Sequence, residues 1–469
     1  MTSDGADSGY RTGGVSHWMH EGGMAKITRP LLSGSRDCDV AIVGAGFTGL
    51  WAAHYLTKLQ PGIRVTVVER HHVGYGASGR NGGWLSHLVP GNRALYAADS
   101  AGPDGAIALQ RAMFDAVKEV RDKVKEVGID ADLSTGGNLV VATTPAGMER
   151  LRSRRAADLR YGLSAEESTL LSASEAKGRV NADGALGGLY YPIVARLNPA
   201  KLVTGLACAV EAQGVVVYEA TDVLHLGDHM LTATTGTLRA DRILICTEGY
   251  GGPLLGRRRV IPINSSMIVT APLSRDDWDH IGWQARECFS DAAHTFVYAQ
   301  RTADDRIAVG GRGSPYRFAS ETGGAGSVSD HTISELSGRL RRYFPNANIR
   351  VDHGWSGVLG VTRDWCATVG FDRASGTGAA FGYAGHGVTA ANLAARTLVD
   401  LALSRDTTLT RLPLVNHRSA SWEPEPIRWL GIHSMYQLFK LADRWEESRG
   451  SQRTSALARV GSRLAGLHE

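Results

Sequence analysis

The stretch from Val40 to Leu56, V-A-I-V-G-A-G-F-T-G-L-W-A-A-H-Y-L, decides the fold of this chain. Residues 40–43 are apolar and predict a buried strand, and Phe47 to Leu59 predict a helix that Pro61-Gly62 ends. Between strand and helix, Gly44, Gly46 and Gly49 form G-x-G-x-x-G. Glycines at these positions permit a tight turn, a close approach of backbone to a pyrophosphate, and close packing of helix on sheet. The context predicts a dinucleotide-binding βαβ unit.

An acidic residue follows at the distance that such a unit requires. Arg64 to Val68 predict the second strand, and Glu69 ends it, 20 positions after Gly49. A carboxylate there accepts hydrogen bonds from the adenosine ribose hydroxyls and repels a 2′-phosphate. Arg70 beside it leaves NADP open as an alternative.

A second glycine-rich stretch, G-Y-G-A-S-G-R-N-G-G at residues 74–83, distinguishes between cofactors. NAD and FAD share the first fingerprint, so that fingerprint alone cannot separate them. So many glycines after the acidic residue bring backbone close to a flat or anionic group, and a ring-plus-pyrophosphate cofactor extended across the domain would account for them. A flexible surface loop remains the alternative.

Composition excludes several other classes of protein. The chain has 469 residues, 43% hydrophobic and 21% charged, which is typical of a globular protein with two or three domains. Its net charge of +4 is spread along the chain, which argues against a nucleic-acid partner. Five isolated cysteines indicate neither a disulfide framework nor a zinc site. The first 36 residues lack a secretory h-region, and charged residues interrupt the apolar run 381–403, so we expect a cytoplasmic protein without a transmembrane segment.

Strand and helix patterns alternate from Asp37 onward and predict an α/β protein. Residues 104–127 predict a long amphipathic helix, 145–178 a charged helical region poor in strand formers, and 215–245 a strand meander. We expect a discontinuous Rossmann-type domain with an inserted substrate domain on an antiparallel or mixed sheet, α/β plus α+β. The predicted division is a loosely ordered N-terminal arm (1–36), the dinucleotide-binding domain (37–130, 198–256 and 349–405), the substrate domain (131–197 and 257–348), and a C-terminal helical extension (406–469).

Taken together, these motifs resemble the D-amino-acid-oxidase/glycine-oxidase superfamily of FAD oxidoreductases. The V-V-E-R sequence at 67–70 and the G-A-S-G-R-N-G-G form at 76–83 are most similar to its gamma-glutamylputrescine-oxidase branch. Further motifs follow in the order of that superfamily: 190–192 (Y-Y-P), 196–202, 222–223, 245–250 (I-C-T-E-G-Y), 355–357 (W-S-G), 362–364, 385–389 (G-H-G-V-T) and 423–429. The resemblance covers nearly the whole chain.

The resemblance implies FAD as the cofactor and assigns residues to it. It implies non-covalent FAD, because relatives that tether the flavin use a cysteine where Gly357 aligns or a histidine where Arg80 stands. The implied cofactor-binding residues are Gly44, Gly46, Phe47, Thr48, Gly49, Glu69, Arg70, Gly76, Ala77, Ser78, Arg80, Asn81, Gly82, Gly83, Val223, Thr247, Gly249, Gly357, Gly360, Asp364, Gly385, His386, Gly387, Val388 and Thr389.

The activity that the resemblance implies is oxidation of the C–N bond of a small amine or amino acid to an imine. Hydride passes to flavin N5, and oxygen then takes the electrons to give hydrogen peroxide. The catalytic candidates are Trp84, His87, Arg312 and His386, and the substrate-binding candidates are Tyr190, Tyr191 and Arg196. Each has a structural alternative, as a core aromatic, a packed histidine or a salt-bridge arginine. No metal is expected.

Two other functions remain open. The strand at 307–311, I-A-V-G-G, lacks the lysine with which the sarcosine-oxidase branch assists oxygen, which favours a dehydrogenase that passes electrons to a quinone or other carrier. The aromatic, basic tail from Trp422 to Trp445 could lie on anionic lipid or pack on the body as a helix. A non-catalytic flavin-bound partner subunit is the third possibility. The sequence leaves the substrate and the oligomeric state open.

Overall fold

Two sheets organise the chain, which we describe from a computed structural model for residues 9–99, 101–311 and 313–466. The strands in that part of the chain are β1 (Arg11–Thr12), β2 (Gly34–Val43), β3 (Val65–Val68), β4 (Trp84–Leu85), β5 (Asn138–Ala142), β6 (Thr169–Ser172), β7 (Gly187–Tyr191), β8 (Ala195–Arg196), β9 (Val216–Tyr218), β10 (Val223–Gly227), β11 (Met230–Ala233), β12 (Gly236–Ile245), β13 (Ile261–Thr270), β14 (Cys288–Asp291), β15 (Tyr298–Arg301), β16 (Ile307–Gly311), β17 (Val351–Val361), β18 (Thr368–Asp372) and β19 (Thr377–Phe381).

Helices connect these strands and cover both sheets. They are α1 (His17–Glu21), α2 (Phe47–Leu59), α3 (Arg93–Ala97), α4 (Gly102–Glu126), α5 (Pro145–Arg160), α6 (Ala173–Arg179), α7 (Pro199–Ala212), α8 (Gly252–Leu255), α9 (Arg275–Ile281), α10 (Asp330–Tyr343), α11 (Gly387–Ala402), α12 (Ile427–Ser448) and α13 (Ala456–Ala465). None of the helices in the described part of the chain is long and apolar enough to cross a membrane.

The first sheet carries the glycine motif. Its order is β10-β11-β12-β2-β3-β9, and β19 pairs with β12 and with β18. Strands β12, β2, β3 and β9 are parallel, so their carboxyl ends meet along one edge, where Val43 lies opposite both Val68 and Ile245. Helices α2, α7, α11 and α4 pack together beside this sheet around a large apolar core. This arrangement brings the ends of β2, β3 and β12 to one place.

The second sheet has nine strands in the described chain, in the order β1-β17-β13-β16-β15-β14-β5-β7-β6. It is mixed, because β1 and β17 and also β5 and β14 run parallel while the other pairs are antiparallel. The predicted α/β plus α+β class is confirmed. Strand β17, which the sequence division places in the dinucleotide-binding domain, instead pairs along its whole length with β13 of this second sheet.

Two segments differ from the sequence-based expectation. Residues 169–172, in a region expected to be helical, form edge strand β6 because the T-L-L-S run completes the sheet beside β7. The described part of the N-terminal arm, 9–36, is not loosely ordered. Its helix α1 buries Trp18 and Met19, and Ser16 Oγ donates to the Gly79 carbonyl at 2.6 Å while Trp18 Nε1 donates to the Asn81 carbonyl at 2.9 Å. Buried aromatic contacts order this segment against the second glycine stretch.

The C-terminal extension returns to the body as a helix pair. Helix α13 packs on α12, where a side chain at Gly461 would collide with Leu438. Helix α12 is held to the loop after β14 of the second sheet by Asp443, which accepts from the backbone N–H of His294 at 2.8 Å and of Thr295 at 2.9 Å. The expectation of a helix packed on the body is met for α12.

Candidate functional site

The glycine turn after β2 has the shape that a dinucleotide needs. Gly44 has φ of +106°, and a Cβ there would lie 2.7 Å from the Cys246 carbonyl oxygen. A Cβ at Gly49 would overlap the Gly44 carbonyl oxygen, so only glycine lets α2 pack this closely. The N–H of Phe47, in the first turn of α2, donates to Ser78 Oγ at 2.8 Å. The first and second glycine stretches therefore meet at the start of α2.

Glu69 lies at the end of β3, as predicted, and braces the same turn. Its Oε2 accepts from the Ala45 N–H at 2.9 Å and its Oε1 from the His71 N–H at 3.0 Å. Burial raises the pKa of this carboxyl, although the backbone N–H groups act against that shift. Arg70 beside it pairs with Asp222 at 3.3 Å. The positive charge of Arg70 was the reason for keeping NADP as an alternative, and the Asp222 carboxylate now lies beside that charge.

A slot of about 170 Å³ runs along these carboxyl ends. The sequence-predicted cofactor residues that line it are Gly44, Gly46, Phe47, Thr48, Glu69, Arg70, Gly76, Ala77, Ser78, Asn81, Val223, Thr247, Gly249, Gly385, Gly387 and Val388. The first turn of α11, which begins at Gly387, contributes the last of these. The slot is therefore built from segments that are far apart in the chain, namely 43–48, 68–81, 221–223, 246–254, 358–359 and 383–391.

A second cavity of about 1170 Å³ lies against the second sheet, whose strands β5 and β13 to β17 contribute lining residues together with helices α5 and α13. Besides residues that it shares with the slot, the sequence-predicted residues that line it are Arg80, Gly82, Trp84, Gly357 and His386. The two cavities share part of their lining, namely Ala77, Asn81, Val358, Leu359, Gly385 and Val388. These shared residues mark the place where the slot opens into the larger cavity.

Buried polar atoms without a partner test whether a cofactor fits here. Among the described residues, Thr247 Oγ1, Glu248 Oε2 and Tyr250 OH are buried along the slot and form no hydrogen bond. Along the larger cavity, Arg80 Nη2 and Trp84 Nε1 are likewise buried and form no hydrogen bond with the described residues. Burying polar groups without partners costs free energy, so their clustering here fits a ligand that is rich in hydroxyl and phosphate oxygens. The residues fit a flavin dinucleotide.

Arg80 lines the larger cavity and is held in place by backbone carbonyl groups. Its Nε donates to the Tyr75 carbonyl at 2.7 Å, and its Nη1 donates to the carbonyls of Gly324 and Ser356 at 3.0 and 3.1 Å. The guanidinium also lies 4.5 Å from the Tyr75 ring centroid. A Cβ at Gly357 would come within 3.1 Å of the Arg80 Cβ, so glycine there makes room for the arginine.

Several sequence-predicted catalytic and substrate residues lie elsewhere. His87 is fully buried between the rings of Phe114 and Tyr191, with centroid distances of 4.7 and 4.6 Å, and lines neither cavity. Burial lowers its pKa to about 3. Tyr191 donates to Asp158 at 2.7 Å and Tyr190 to the Gly136 carbonyl at 2.9 Å, away from both cavity walls.

Arg196 is also buried off both walls, and burial lowers its pKa. Arg312 lies outside the described residues. A catalytic or substrate role for these residues and for His87 stays a prediction.

Besides Gly49, four predicted cofactor residues line neither cavity. Asp364 accepts from His417 Nε2 at 2.8 Å and from Ser419 Oγ at 2.6 Å, which fastens the C-terminal extension. Thr389 is fully buried in α11. A Cβ at Gly360 would overlap the Glu248 carboxylate. Gly83, in turn, has φ of +67° and packs against the Leu197 carbonyl.

Sequence reasoning missed Glu248 and Tyr298 as residues of the site. Glu248 has a left-handed φ of +47° and accepts from the Tyr383 N–H at 2.8 Å, and burial raises its pKa to about 7. Its place within I-C-T-E-G-Y was the only sequence signal for it. Tyr298 lines the larger cavity from β15 and bonds Ser265 at 3.0 Å. No motif accompanies it, because its placement depends on strand pairing with β16.

The fold and the slot together define a flavoprotein oxidoreductase. Residues 39–401 match the family model described as "FAD dependent oxidoreductase" (DAO), and the chain belongs to this family. It is an FAD-dependent oxidoreductase.

Individual relatives agree with this assignment. The chain is 30% identical over 380 residues to "Gamma-glutamylputrescine oxidoreductase" of Escherichia coli (strain K12), covering 79% of this chain and 84% of that protein. It is 29% identical over 225 residues to "Glycine oxidase" of Geobacillus kaustophilus (strain HTA426), covering 47% of this chain and 56% of that protein. The crystal structure of glycine oxidase from Geobacillus kaustophilus has the same fold, with a TM-score of 0.69, 21% identity and coverage of 82% of this chain and 100% of that one.

Proposed function

We propose that this protein oxidises the C–N bond of a small amine or amino acid to an imine. The observation that carries the proposal is the meeting of the dinucleotide slot with the larger cavity at Ala77, Asn81, Val358, Leu359, Gly385 and Val388. The residues of the slot would hold FAD, and the bound cofactor would supply the two-electron acceptor for the reaction. Two similar proteins are described by names that denote action on an amine or amino acid.

The residues around the junction are suited to orient a substrate and exclude water. Trp84 and Tyr298 lie 6.0 Å apart, edge to face, and both line the larger cavity. Met267 adds an apolar surface beside them. Such walls remove water from the reacting carbon and favour the neutral amine over its ammonium form.

Positive charge at the junction comes from two sources. The Arg80 guanidinium forms no ion pair with any residue in the described ranges, and it lines the larger cavity. Helix α11 begins at Gly387, and Gly387 and Val388 of its first turn line the slot, so the positive end of the helix dipole lies beside it. Both features stabilise negative charge that develops when a cofactor gains electrons. His386, immediately before α11, orients a polar substrate group in this proposal.

In the leading proposal the protein is a cytoplasmic oxidase. Oxygen is then the electron acceptor, and hydrogen peroxide is the second product. A dehydrogenase that passes electrons to a quinone or other carrier is the second candidate. It is favoured by one observation, that no lysine among the described residues lines either cavity. Strand β16 is comparable to the strand that carries the oxygen-assisting lysine in the sarcosine-oxidase branch, and here its Gly311 lines the larger cavity.

The test is anaerobic mixing of the purified protein with pools of primary amines, secondary amines and amino acids while the visible absorbance of the flavin is recorded. Bleaching by one pool, followed by rapid recovery in air with peroxide, is the expected result. Recovery only with an added quinone or dye would establish the dehydrogenase. No bleaching with any pool, in protein that retains FAD, would overturn the proposal and favour a non-catalytic partner subunit.

A further inference from the structure

The outer part of the larger cavity is rich in arginine. Helix α5 contributes Arg150, Arg154 and Arg160 to the lining, and the C-terminal extension contributes Arg453, Arg459 and Arg463. The acidic residues that line the same cavity, in the described chain, are Glu149 and Asp291. Asp291 is buried and already bonds Arg339 at 3.1 Å and Tyr343 at 2.7 Å. The cavity therefore presents an excess of positive charge.

Four of these arginines have no carboxylate of their own. Arg160, Arg453, Arg459 and Arg463 are solvent-exposed and form no ion pair within residues 9–99, 101–311 and 313–466, whereas Arg150 pairs with Glu446 at 2.6 Å. Exposed residues that also line a cavity lie at its opening. None of the four lines the dinucleotide slot or belongs to the residues that the two cavities share, whereas all four are exposed at the opening of the larger cavity.

The extension that carries three of these arginines is anchored rather than loosely attached. Glu446 of α12 accepts from Arg150 Nη1 at 2.6 Å, from His294 Nε2 at 3.0 Å and from the Ser455 N–H at 2.8 Å. Arg453 and helix α13 follow directly from this anchor. The family model ends at residue 401, so this wall of the cavity lies outside the region that the model matches.

We propose that the substrate carries, besides its amine, an anionic group at the end remote from the oxidised C–N bond. The inference rests on the proposed function, since it extends that site outward. A carboxylate, phosphate or phosphonate at the far end satisfies guanidinium groups bidentately, and a cavity of about 1170 Å³ accommodates an elongated molecule. An opening lined by cations also concentrates anionic substrates by electrostatic focusing.

The first experiment measures binding without turnover. Isothermal titration of the holoenzyme compares three non-oxidisable probes of equal chain length, hexanoate, hexyl phosphate and hexanol. We expect one of the two anions to bind at least tenfold more tightly than hexanol, and its identity separates carboxylate from phosphate selectivity. The double variant Arg459→Glu/Arg463→Glu should weaken the preferred anion at least tenfold, and high salt should reduce the difference between anion and alcohol. The matched control, Arg373→Glu, changes an exposed arginine that lines neither cavity and should alter nothing.

The second experiment measures flavin reduction by 6-aminohexanoate, 6-aminohexyl phosphate and hexylamine. The anionic amines should half-saturate at lower concentration than hexylamine, and the double variant should raise that concentration for the anionic amines alone. Equal binding of hexanol and both anions, or anion binding unchanged in the double variant, would overturn the inference. Arginine-dependent anion binding without reduction by any amine would instead overturn the proposed function and leave the anion site standing.

Discussion

Gly49 lies in the first turn of α2, where its missing side chain lets the helix approach the glycine turn. A Cβ at this position would overlap the Gly44 carbonyl oxygen and lie 3.1 Å from the Ile42 side chain. Because the obstructing atom is backbone, it cannot move aside as a flexible side chain would. The close approach of α2 to β2 that the sequence predicted is therefore a physical requirement of the turn.

We predict that Gly49→Ala displaces the start of α2 and yields protein with less than a tenth of the wild-type flavin content. The measurement is the ratio of visible flavin absorbance to protein absorbance after purification. Gly338→Ala is the matched control, because Gly338 lies within α10 and a Cβ there meets nothing within 4 Å. That control should keep full flavin content and gain up to about 1 kcal/mol of stability. Full flavin content in Gly49→Ala would contradict the prediction.

His87 illustrates how burial changes the role of a titratable residue. Both of its ring nitrogens are buried without partners among the described residues, and burial lowers its pKa to about 3. A folded-state pKa below the unfolded value of about 6.5 means that only the unfolded chain takes up this proton in mild acid. The associated stability is fully present above pH ~6.5 and is lost as the pH falls from there toward 3.

The variant His87→Leu should therefore reduce the acid sensitivity of the fold. We expect the slope of unfolding free energy against pH, between about pH 4.5 and 6.5, to fall by up to about 1.4 kcal/mol per pH unit. Urea unfolding at a series of pH values measures it, and His331→Leu, at an exposed position on α10, is the control. Since His87 lines neither cavity, substrate-driven flavin reduction should persist in His87→Leu. A hundredfold loss of that rate with normal stability would identify His87 as catalytic.

At the scale of elements, Glu446 joins α12 to α5, to the loop after β14 and to the start of α13. Burial alone would raise the pKa of this carboxyl, but hydrogen bonds from His294, the Ser455 N–H and Arg150 lower it to about 2. A depressed folded-state pKa contributes stability that is present above the unfolded value of about 4.3 and is lost as the pH falls toward 2. The attachment of the C-terminal helices should accordingly weaken in acid.

We predict that Glu446→Gln loosens residues 427–465 by about 1–3 kcal/mol, because it leaves partly buried Arg150 and His294 without their charged acceptor. Hydrogen exchange of the peptides from α12 and α13 measures this local opening. Glu447→Gln is the neighbouring control, since its ion pair with Arg342 is exposed and should contribute little. Equal exchange in both variants would show that the anchor at Glu446 does not hold the helix pair.

At the scale of the whole molecule, sequence reasoning succeeded where the structure depends on local pattern. The bounds of α2, Phe47–Leu59, agree with the sequence prediction because a glycine turn and Pro61-Gly62 enclose an apolar run. Sixteen of the residues predicted to bind the cofactor line the slot, since the family motifs lie at the carboxyl ends of strands in one parallel sheet. These features follow from short stretches of sequence with fixed spacing.

Features that depend on long-range packing were not predictable in this way. Strand β17 joins the second sheet through its pairing with β13, about ninety positions earlier in the chain, and no local pattern encodes that partner. Residues 9–36 contain glycines and histidines that suggest a loose arm, yet His17, Trp18 and Trp355 pack together at centroid distances of 5.5 to 6.3 Å. The arginine-lined opening likewise combines α5 with residues about three hundred positions later.

The residues around the slot also bear on whether FAD is attached covalently or non-covalently. The sequence resemblance implied non-covalent FAD, and the slot is walled by segments from the first sheet, the second glycine stretch and the start of α11. Among the described residues, the cysteines are free and only Cys246 lines either cavity, where burial raises the pKa of its thiol to about 12 and keeps it un-ionised. A thiol held in that form is a poor nucleophile toward a flavin. We therefore predict that acid precipitation leaves the yellow colour in the supernatant.

Removal of FAD should destabilise the chain as a whole, because the cofactor binds the folded state and bridges segments that are distant in sequence. At a free FAD concentration of 100 times its dissociation constant, we expect the apoprotein to gain about 2.7 kcal/mol. Thermal midpoints measured against added FAD and ADP test this. ADP should stabilise less, since it fills the slot without reaching the larger cavity that Arg80 and Trp84 line. In the acid precipitation, yellow colour retained in the pellet would show that the flavin is covalently held. In the thermal measurement, equal stabilisation by ADP and FAD would show that the contacts along the slot account for all of the binding free energy.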